Sequence, residues 1–329
     1  MSKADVTLQD IMDAAKRINT YIVHTPLLRE EKMDQTLGGQ IYLKPEMLQI
    51  TGAFKIRGAL NKILSLPLEK LKKGIITSSS GNHAQACAYA GQLLNIKTTV
   101  VIPEDAPAIK IENARAMGAN VITWNRKYDE RWKKVKIEAN KHKYSIIHAY
   151  EDYTVMAGQG TIGLEIYKDL PNIETVLVPI GGGGLISGVS TALKALNPKI
   201  RVIGVQAAAS CAYYVSRQNG IPSSTESSPT IADGLTCNKT GKNPYPIIEK
   251  NVDDIVIVAE EDIEQALRLI AQDSKLIAEP SACVTIAALL SHKVKIRPNE
   301  KICAILTSGN WDIDKVGKIL NNEHVEGVM

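Results

Sequence analysis

The stretch Thr175-Val176-Leu177-Val178-Pro179-Ile180-Gly181-Gly182-Gly183-Gly184-Leu185 decides the fold. Its first half is apolar and rich in β-branched residues, which reads as a buried strand, and Leu185 to Leu196 reads as a helix. Between them stand four glycines. A glycine held in one conformation loses more chain entropy than any other residue, so four together need a reason. A flexible or tightly packed turn is the plainer one. The stronger one is close approach of the backbone to an anion: a strand, a bare turn and a helix N-terminus direct unpaired N–H groups and a positive dipole end at one point.

The pattern argues against a nucleotide. A dinucleotide fingerprint places glycine at i, i+2 and i+5, but five residues after Gly181 and Gly182 stand Ile186 and Ser187. The next strand, Ile200–Val205, is followed by Gln206 where an acidic residue would hold a ribose hydroxyl. The ATP-binding pattern GxxxxGK[ST] is absent here. A small phosphorylated cofactor fits better.

Outward from the turn, strand-like and helix-like segments alternate. Strands are expected at Ile41–Lys44, Gly74–Ser78, Thr98–Ile102, Asn120–Thr123, Tyr144–His148, Thr175–Ile180, Ile200–Val205, Ile255–Val258 and Ile302–Thr307. Helices are expected at Phe54–Ser65, Asn82–Leu94, Ile109–Met117, Asp129–Lys141, Gly158–Lys168, Leu185–Leu196, Glu260–Gln272 and Ala282–Ser291, with Thr7-Leu8-Gln9-Asp10 as a capping box for the first helix of the chain. Such alternation predicts an α/β fold with open, mostly parallel, twisted sheets flanked by helices. Nine strands are many for one open sheet, so two domains are expected. Residues 217–247 form the longest irregular stretch, and long loops in compact enzymes tend to carry function.

Composition excludes several classes. With 44% hydrophobic and 22% charged residues the chain is globular, and a formal charge of +4 demands no nucleic-acid partner. The basic cluster Arg126–Lys143 is interrupted by Glu130 and Glu138 and reads as a solvated helix face. The five cysteines are scattered, with no CxxC pair, which suits reduced thiols in the cytoplasm. The start, Met1-Ser2-Lys3-Ala4-Asp5, lacks a secretory apolar core, and no apolar run approaches the ~20 residues of a membrane helix.

Three further segments carry candidate chemistry. Thr51-Gly52-Ala53-Phe54-Lys55 opens a helix, and an amine of depressed pKa there suits a Schiff base with an aldehyde. Ser78-Ser79-Ser80-Gly81-Asn82-His83 joins a strand to a helix and suits a carboxylate, although a serine N-cap is the plain alternative. Leu306-Thr307-Ser308-Gly309-Asn310 closes the last strand. The serine loop, the Leu306–Asn310 segment and the glycine turn lie at the carboxyl ends of strands, where α/β sheets bind ligands. His83 and His148 are candidate general bases, no spacing suggests a metal site, and no GxSxG elbow is present.

Together these segments resemble the serine/threonine dehydratase (ammonia-lyase) branch of the fold type II pyridoxal-phosphate (PLP) enzymes, which includes serine racemase. The matching segments are TGAFKIRGALNK (51–62), SSSGNHAQA (78–86), AGQGTIGLEI (157–166), PIGGGGLISG (179–188), TIADGL (230–235), AEPSA (278–282) and TSGNWD (307–312). The resemblance implies a large PLP-binding domain of residues 1–51 and 151–329 and a small domain of residues 52–150. It implies that Lys55 holds pyridoxal 5'-phosphate as an internal aldimine and then acts as base at Cα. Phe54 packs against the ring, Gly181, Gly182, Gly183 and Gly184 bind the phosphate, Asn82 bonds the ring hydroxyl, and Thr307 beside Ser308 faces the ring nitrogen. Ser79, Asn82 and His83 hold the substrate carboxylate, with Arg131 as a second contact. The implied reaction is α,β-elimination from L-threonine to 2-oxobutanoate and ammonia, or from L-serine to pyruvate, in a cytoplasmic homodimer or tetramer whose partner is a small amino-acid substrate.

The match departs at informative positions. Ser80 stands where typical threonine dehydratases have alanine and racemases have a serine that serves the face opposite the lysine. Racemisation needs an acid/base group on each face, so racemisation or elimination from 3-hydroxyaspartate is the alternative activity. The two acidic ligands of the racemase-like cation site read as Gln206 and Ala212, which removes the charge a hard cation needs. Ala53, Tyr150 and Cys237 replace residues around the substrate in the family. No regulatory domain is expected after the catalytic part.

Overall fold

The computed structural model describes residues 5–104, 106, 108–226 and 228–327; the polar start Met1–Ala4 lies outside them. Ten strands are present among the described residues: β1 (Leu28–Arg29), β2 (Gln40–Pro45), β3 (Ile75–Ser78), β4 (Thr98–Pro103), β5 (Asn120–Trp124), β6 (Ser145–Ile146), β7 (Thr175–Pro179), β8 (Arg201–Ala207), β9 (Asp254–Val258) and β10 (Lys301–Leu306). They form two sheets. The larger runs β1-β2-β10-β7-β8-β9 and the smaller β5-β4-β3-β6. Every pairing is parallel except β1 with β2. The α/β class with open, mostly parallel sheets flanked by helices is what the alternating pattern predicts.

The large sheet takes strands from both ends of the chain, with β10 between β2 and β7, in register Ile302 with Ile41 and with Thr175. All five residues of β7 are buried. One apolar cluster, including Leu177, Val205, Ile286 and Leu306, packs on one face. A second, including Val176, Val178, Ile186 and Ile305, packs on the other. Burial on both faces is why β7 reads as a continuous apolar run rather than an alternating one.

Helices form where the pattern and caps direct them. Leu8–Ile18 opens on a capping box in which Thr7 Oγ1 accepts from Asp10 N–H at 3.2 Å and Asp10 Oδ2 accepts from Thr7 N–H at 2.9 Å. Tyr153–Asp169 starts at a true Asp152 cap, five residues before the expected Gly158. The strand expected over Tyr144–His148 contracts to the two residues of β6, because only Ser145 and Ile146 pair with β3. Within 217–247 the chain holds a 3-10 turn at Asp233–Leu235, the end of helix Ala212–Asn219 and the start of helix Pro244–Asn251. Those two helices, with Glu31–Leu37 and Ile313–Leu320, lie outside the sequence-based expectations.

Candidate functional site

Three helix N-termini share one property: no side chain caps them. Lys55–Leu64 follows Phe54, Asn82–Leu93 follows Gly81, and Gly184–Leu196 follows Gly183. The serine loop therefore does not end in a serine N-cap. Ser79 Oγ accepts from Gly81 N–H at 3.2 Å, one step too early to serve the helix. The first N–H groups of helix Asn82–Leu93 receive no side-chain cap, which suits them to a carboxylate.

The glycine turn is enforced by its neighbours. Gly183 has φ +88°, in the left-handed region. A Cβ on Gly182 would lie 2.3 Å from the Tyr150 ring, and one on Gly184 would lie 2.8 Å from Tyr150 Cβ. A Cβ on Gly183 would reach the Tyr213 hydroxyl at 2.4 Å. That hydroxyl ties the turn to the loop after 237: it donates to Gly182 O at 3.0 Å and accepts from Gly241 N–H at 2.8 Å. On the other side Gly181 lies against Gly234 and Leu235.

Lys55 is the first residue of its helix and sits half-buried beside the loop that follows β10. Phe54 N–H donates to Thr307 O at 3.0 Å, Gly309 N–H donates to Gly52 O at 3.0 Å, and Ala53 bridges Ser308. Thr307 and Ser308 are buried, with Ser308 Oγ 3.4 Å from Thr307 Oγ1. Lys55 Nζ lies 4.9 Å from the centre of the Phe54 ring. Desolvation pushes the Lys55 amine down from its ordinary value, against the opposing pull of the Glu279 carboxylate. A lowered pKa enlarges the neutral fraction, the form that attacks a carbonyl. Cys237 stays a thiol, pushed up to about 11 by its own burial.

Asn82 bridges the two sheets. Its Nδ2 donates to Glu279, 3.2 Å from Oε1 and 3.1 Å from Oε2, and its Oδ1 accepts from Asn310 Nδ2 at 2.9 Å. Glu279 N–H in turn donates to Ser308 O at 3.0 Å, and Gly234 N–H donates to Ser281 Oγ at 2.8 Å. A path thus runs along the backbone from Phe54, the neighbour of Lys55, through Thr307, Ser308, Glu279, Ser281 and Gly234 to Gly181. Sequence reasoning matched the AEPSA and TSGNWD segments without singling out Glu279 and Asn310.

Two of the expected carboxylate contacts have side chains with partners of their own. The His83 ring is engaged by the backbone: Nε2 lies 3.0 Å from Ile147 O, a group that only accepts, so Nε2 carries the proton. Nδ1 is then a bare acceptor, which repels a carboxylate, and the backbone N–H is what His83 offers an anion. Arg131 donates NH1 to Asn125 O at 3.4 Å and to Arg126 O, engaging that side of the guanidinium in its own turn. The same helix brings Tyr128, whose hydroxyl lies 2.7 Å from that of Tyr150.

Both site histidines are neutral at pH 7, lowered to about 3 for His83 and about 4 for His148, with desolvation the largest cause in each. His148 stacks on Trp132 at 4.1 Å, and its Nδ1 accepts from Glu151 N–H at 3.0 Å. In the unfolded chain a histidine protonates near pH ~6.5. Below that value the unfolded state binds more protons, so stability is full above pH ~6.5 and falls as the pH drops toward ~4. The urea midpoint is expected to be lower at pH 5 than at pH 7.5, and His148→Asn, which keeps an acceptor, should shrink the difference. A midpoint that does not move with pH would contradict the assignment.

Among the described residues no group of three or more His, Cys, Asp or Glu side chains is arranged to hold a metal ion, and no helix is long and apolar enough to cross a membrane.

Comparisons with known proteins agree with this geometry. The family model described as pyridoxal-phosphate dependent enzyme matches residues 18–308. An L-threonine ammonia-lyase of Thermotoga maritima is 40% identical over 316 residues, 96% of this chain and 78% of that protein. A serine racemase of Dictyostelium discoideum is 40% identical over 321 residues, 97% of this chain and 99% of that protein. The crystal structure of a T.th. threonine deaminase superposes with a TM-score of 0.87 at 39% identity, covering 93% of this chain and 99% of the other. With the bare turn, the desolvated lysine and the parallel sheets in place, the chain belongs to the family of pyridoxal-phosphate-dependent enzymes of fold type II.

Proposed function

We propose that this protein is an ammonia-lyase that converts L-threonine to 2-oxobutanoate and ammonia, and L-serine to pyruvate and ammonia. The observation that carries the reading is the desolvated Lys55 amine together with a glycine turn that tolerates no Cβ at Gly182, Gly183 or Gly184, the backbone beside the lysine being linked through Thr307 and Ser308 to the segment that borders the turn. That cradle fits a phosphate, and the amine fits an aldehyde. The ammonia-lyase and deaminase relatives support the reaction.

Bound here, pyridoxal phosphate supplies an aldehyde carbon that condenses with amines and a ring that draws electrons from the substrate Cα. The chain's own residues do the rest. Gly181–Gly184 and the uncapped helix behind them bind the phosphate. Phe54 would pack on the ring, Asn82 would bond its hydroxyl, and Thr307, backed by Ser308, would face its nitrogen. A neutral hydroxyl at that nitrogen, in place of a carboxylate, favours elimination over transamination. Lys55 takes the proton from Cα. Ser79 and the N–H groups of Asn82 and His83 hold the substrate carboxylate, while Tyr150 and Cys237 border its side chain.

The proposal extends to organisation. Residues 52–150 form a small domain carrying Lys55 and the serine loop, and residues 1–51 and 151–329 a large one carrying the turn. Two sheets that share no strand support this division. The enzyme works in the cytoplasm as a homodimer; five free thiols suit a reducing compartment.

No cation enters the reading. Gln206 is fully buried; its Nε2 donates to Ser210 O at 3.2 Å and Ile180 O at 3.4 Å, and its Oε1 accepts from Tyr214 N–H at 2.9 Å. A neutral amide thus binds carbonyls that would otherwise be open to a cation. EDTA is expected to leave the rate unchanged, and strong inhibition reversed by Mg²⁺ would refute this.

A second reading, serine racemisation, is favoured by the half-buried Ser80 hydroxyl in the loop before helix Asn82–Leu93. One experiment separates the two: incubation with L-threonine, L-serine and 3-hydroxyaspartate, reading 2-oxo acid release and, by chiral chromatography, D-serine. Release from L-threonine and L-serine with little D-serine is expected. D-serine forming as fast as pyruvate, and lost in Ser80→Ala while elimination persists, would make racemisation the main activity. No 2-oxo acid from any of the three would end the lyase reading.

A further inference from the structure

A carboxamide has nearly the same outline either way round, so its partners decide which end donates. For Asn82 both ends are engaged, and the sense can be traced to its origin. Asn310 Nδ2 donates to the backbone carbonyl of Thr51 at 2.7 Å, a group that only accepts. The same nitrogen lies 2.9 Å from Asn82 Oδ1 and 3.1 Å from Gln85 Oε1. Asn82 must therefore present its oxygen to Asn310 and its nitrogen to Glu279, whose two oxygens lie at 3.1 and 3.2 Å. The run begins at a backbone carbonyl and ends at a carboxylate, and each amide between them has one permitted sense. A flipped Asn82 would oppose oxygen to oxygen at Glu279 and N–H to N–H at Asn310.

The backbone makes room for this run. Gly52 has φ +67°, and a Cβ there would lie 2.3 Å from Asn310 Oδ1. Glu279 is 4% exposed, and its backbone is bonded to Ser308, next to Thr307. Asn82 opens a helix of the four-stranded sheet, whereas Glu279 and Asn310 flank β10 and its packing helix in the six-stranded one.

We propose that Glu279 and Asn310 are positioning residues that lock the Asn82 carboxamide with its nitrogen toward the cofactor. One N–H of that nitrogen serves Glu279, and the second is left to donate to the oxygen on the pyridine ring. Both residues act through Asn82. The inference rests on the reading that Asn82 bonds that oxygen.

The test is a double-mutant cycle on pyridoxal phosphate binding to apoenzyme, followed by fluorescence quenching. Glu279→Gln can donate as well as accept, so it no longer dictates the sense. Asn310→Asp replaces the donating nitrogen with an oxygen at equal shape. Each is expected to raise Kd by about tenfold, the scale of one hydrogen bond, and by less than about twofold once Asn82 is already alanine. Equal weakening in both backgrounds would overturn the relay while leaving the Asn82 contact intact. An Asn82→Ala variant that binds like the parent would instead remove the contact itself, and the relay with it. Thermal unfolding of each apoprotein accompanies the cycle, and Asn310→Asp, at an exposed position, carries it should Glu279→Gln not fold.

Discussion

Lys55→Ala is expected to lower 2-oxo acid formation from L-threonine by at least about a thousandfold, since it removes the nucleophile and the Cα base together, and either role alone is worth ~10²–10⁴-fold. The side chain is the only part removed. Alanine is the best helix former, and Lys55 begins a helix anchored through the Phe54 and Arg57 backbone and side chains rather than through its own amine. The fold should therefore persist, with a thermal midpoint near that of the parent. Borohydride treatment of the holoenzyme should attach the cofactor covalently, and peptide mass mapping should find it on Lys55; the variant should stay unlabelled. Retention of a tenth or more of the parent rate, or labelling of another lysine, would end the assignment.

Arg57→Met is expected to destabilise the protein by about 3–5 kcal/mol, the usual effect of removing one partner from a buried ion cluster, and to lower Tm by roughly 10 °C. Arg57 is fully buried. Its Nε donates to Glu46 Oε2 at 2.7 Å and its NH1 to Glu165 Oε1 at 2.6 Å. Lys44 Nζ bonds Glu165 Oε2 at 2.7 Å and Thr25 O at 2.6 Å, so two cations balance two carboxylates. Burial works against the Arg57 charge, but Glu46 and Glu165 outweigh it and hold the guanidinium above its ordinary range. Burial likewise works against Glu165, and Arg57 with Lys44 outweighs it, holding the carboxyl below its ordinary range. Removing Arg57 leaves two carboxylates facing one lysine. Adding Glu165→Gln restores neutrality and should recover at least ~1 kcal/mol, because a buried pair is costly mainly when half of it is missing. Urea unfolding of both variants measures this. An Arg57→Met protein within ~1 kcal/mol of the parent would mean water enters the cluster, since only exposed pairs are worth so little.

The glycine turn and the parallel sheets were legible because their physics is local. An apolar run of strand length, glycines and a following helix announce themselves within a single short stretch of chain. The serine loop was half legible: its position at the end of β3 was clear, but not that Gly81 caps the helix without a side chain. The bond of the His83 ring was hidden because its partner, Ile147 O, lies 64 residues away in another strand's wake. Distance along the chain also hid the Asn82 relay, whose partners stand 197 and 228 residues off. The Arg57 cluster was invisible for a different reason. Charged residues read by default as solvated, and only the packed structure shows Lys44, Glu46 and Arg57 out of water. Strand β1 has two residues, both exposed, and so carries no period to detect.

The placement of β10 has a consequence for biosynthesis. During synthesis from the N-terminus, the four strands of the smaller sheet, residues 75–146, emerge together and can pair at once. The larger sheet cannot close, because its middle position waits for residues 301–306. Until residues 301–306 have left the ribosome, β2 and β7 expose unpaired edges toward an empty slot, a state open to association with other nascent chains. Closure of that slot also brings Thr307 to Phe54, so the catalytic centre forms only after β10 has joined the sheet.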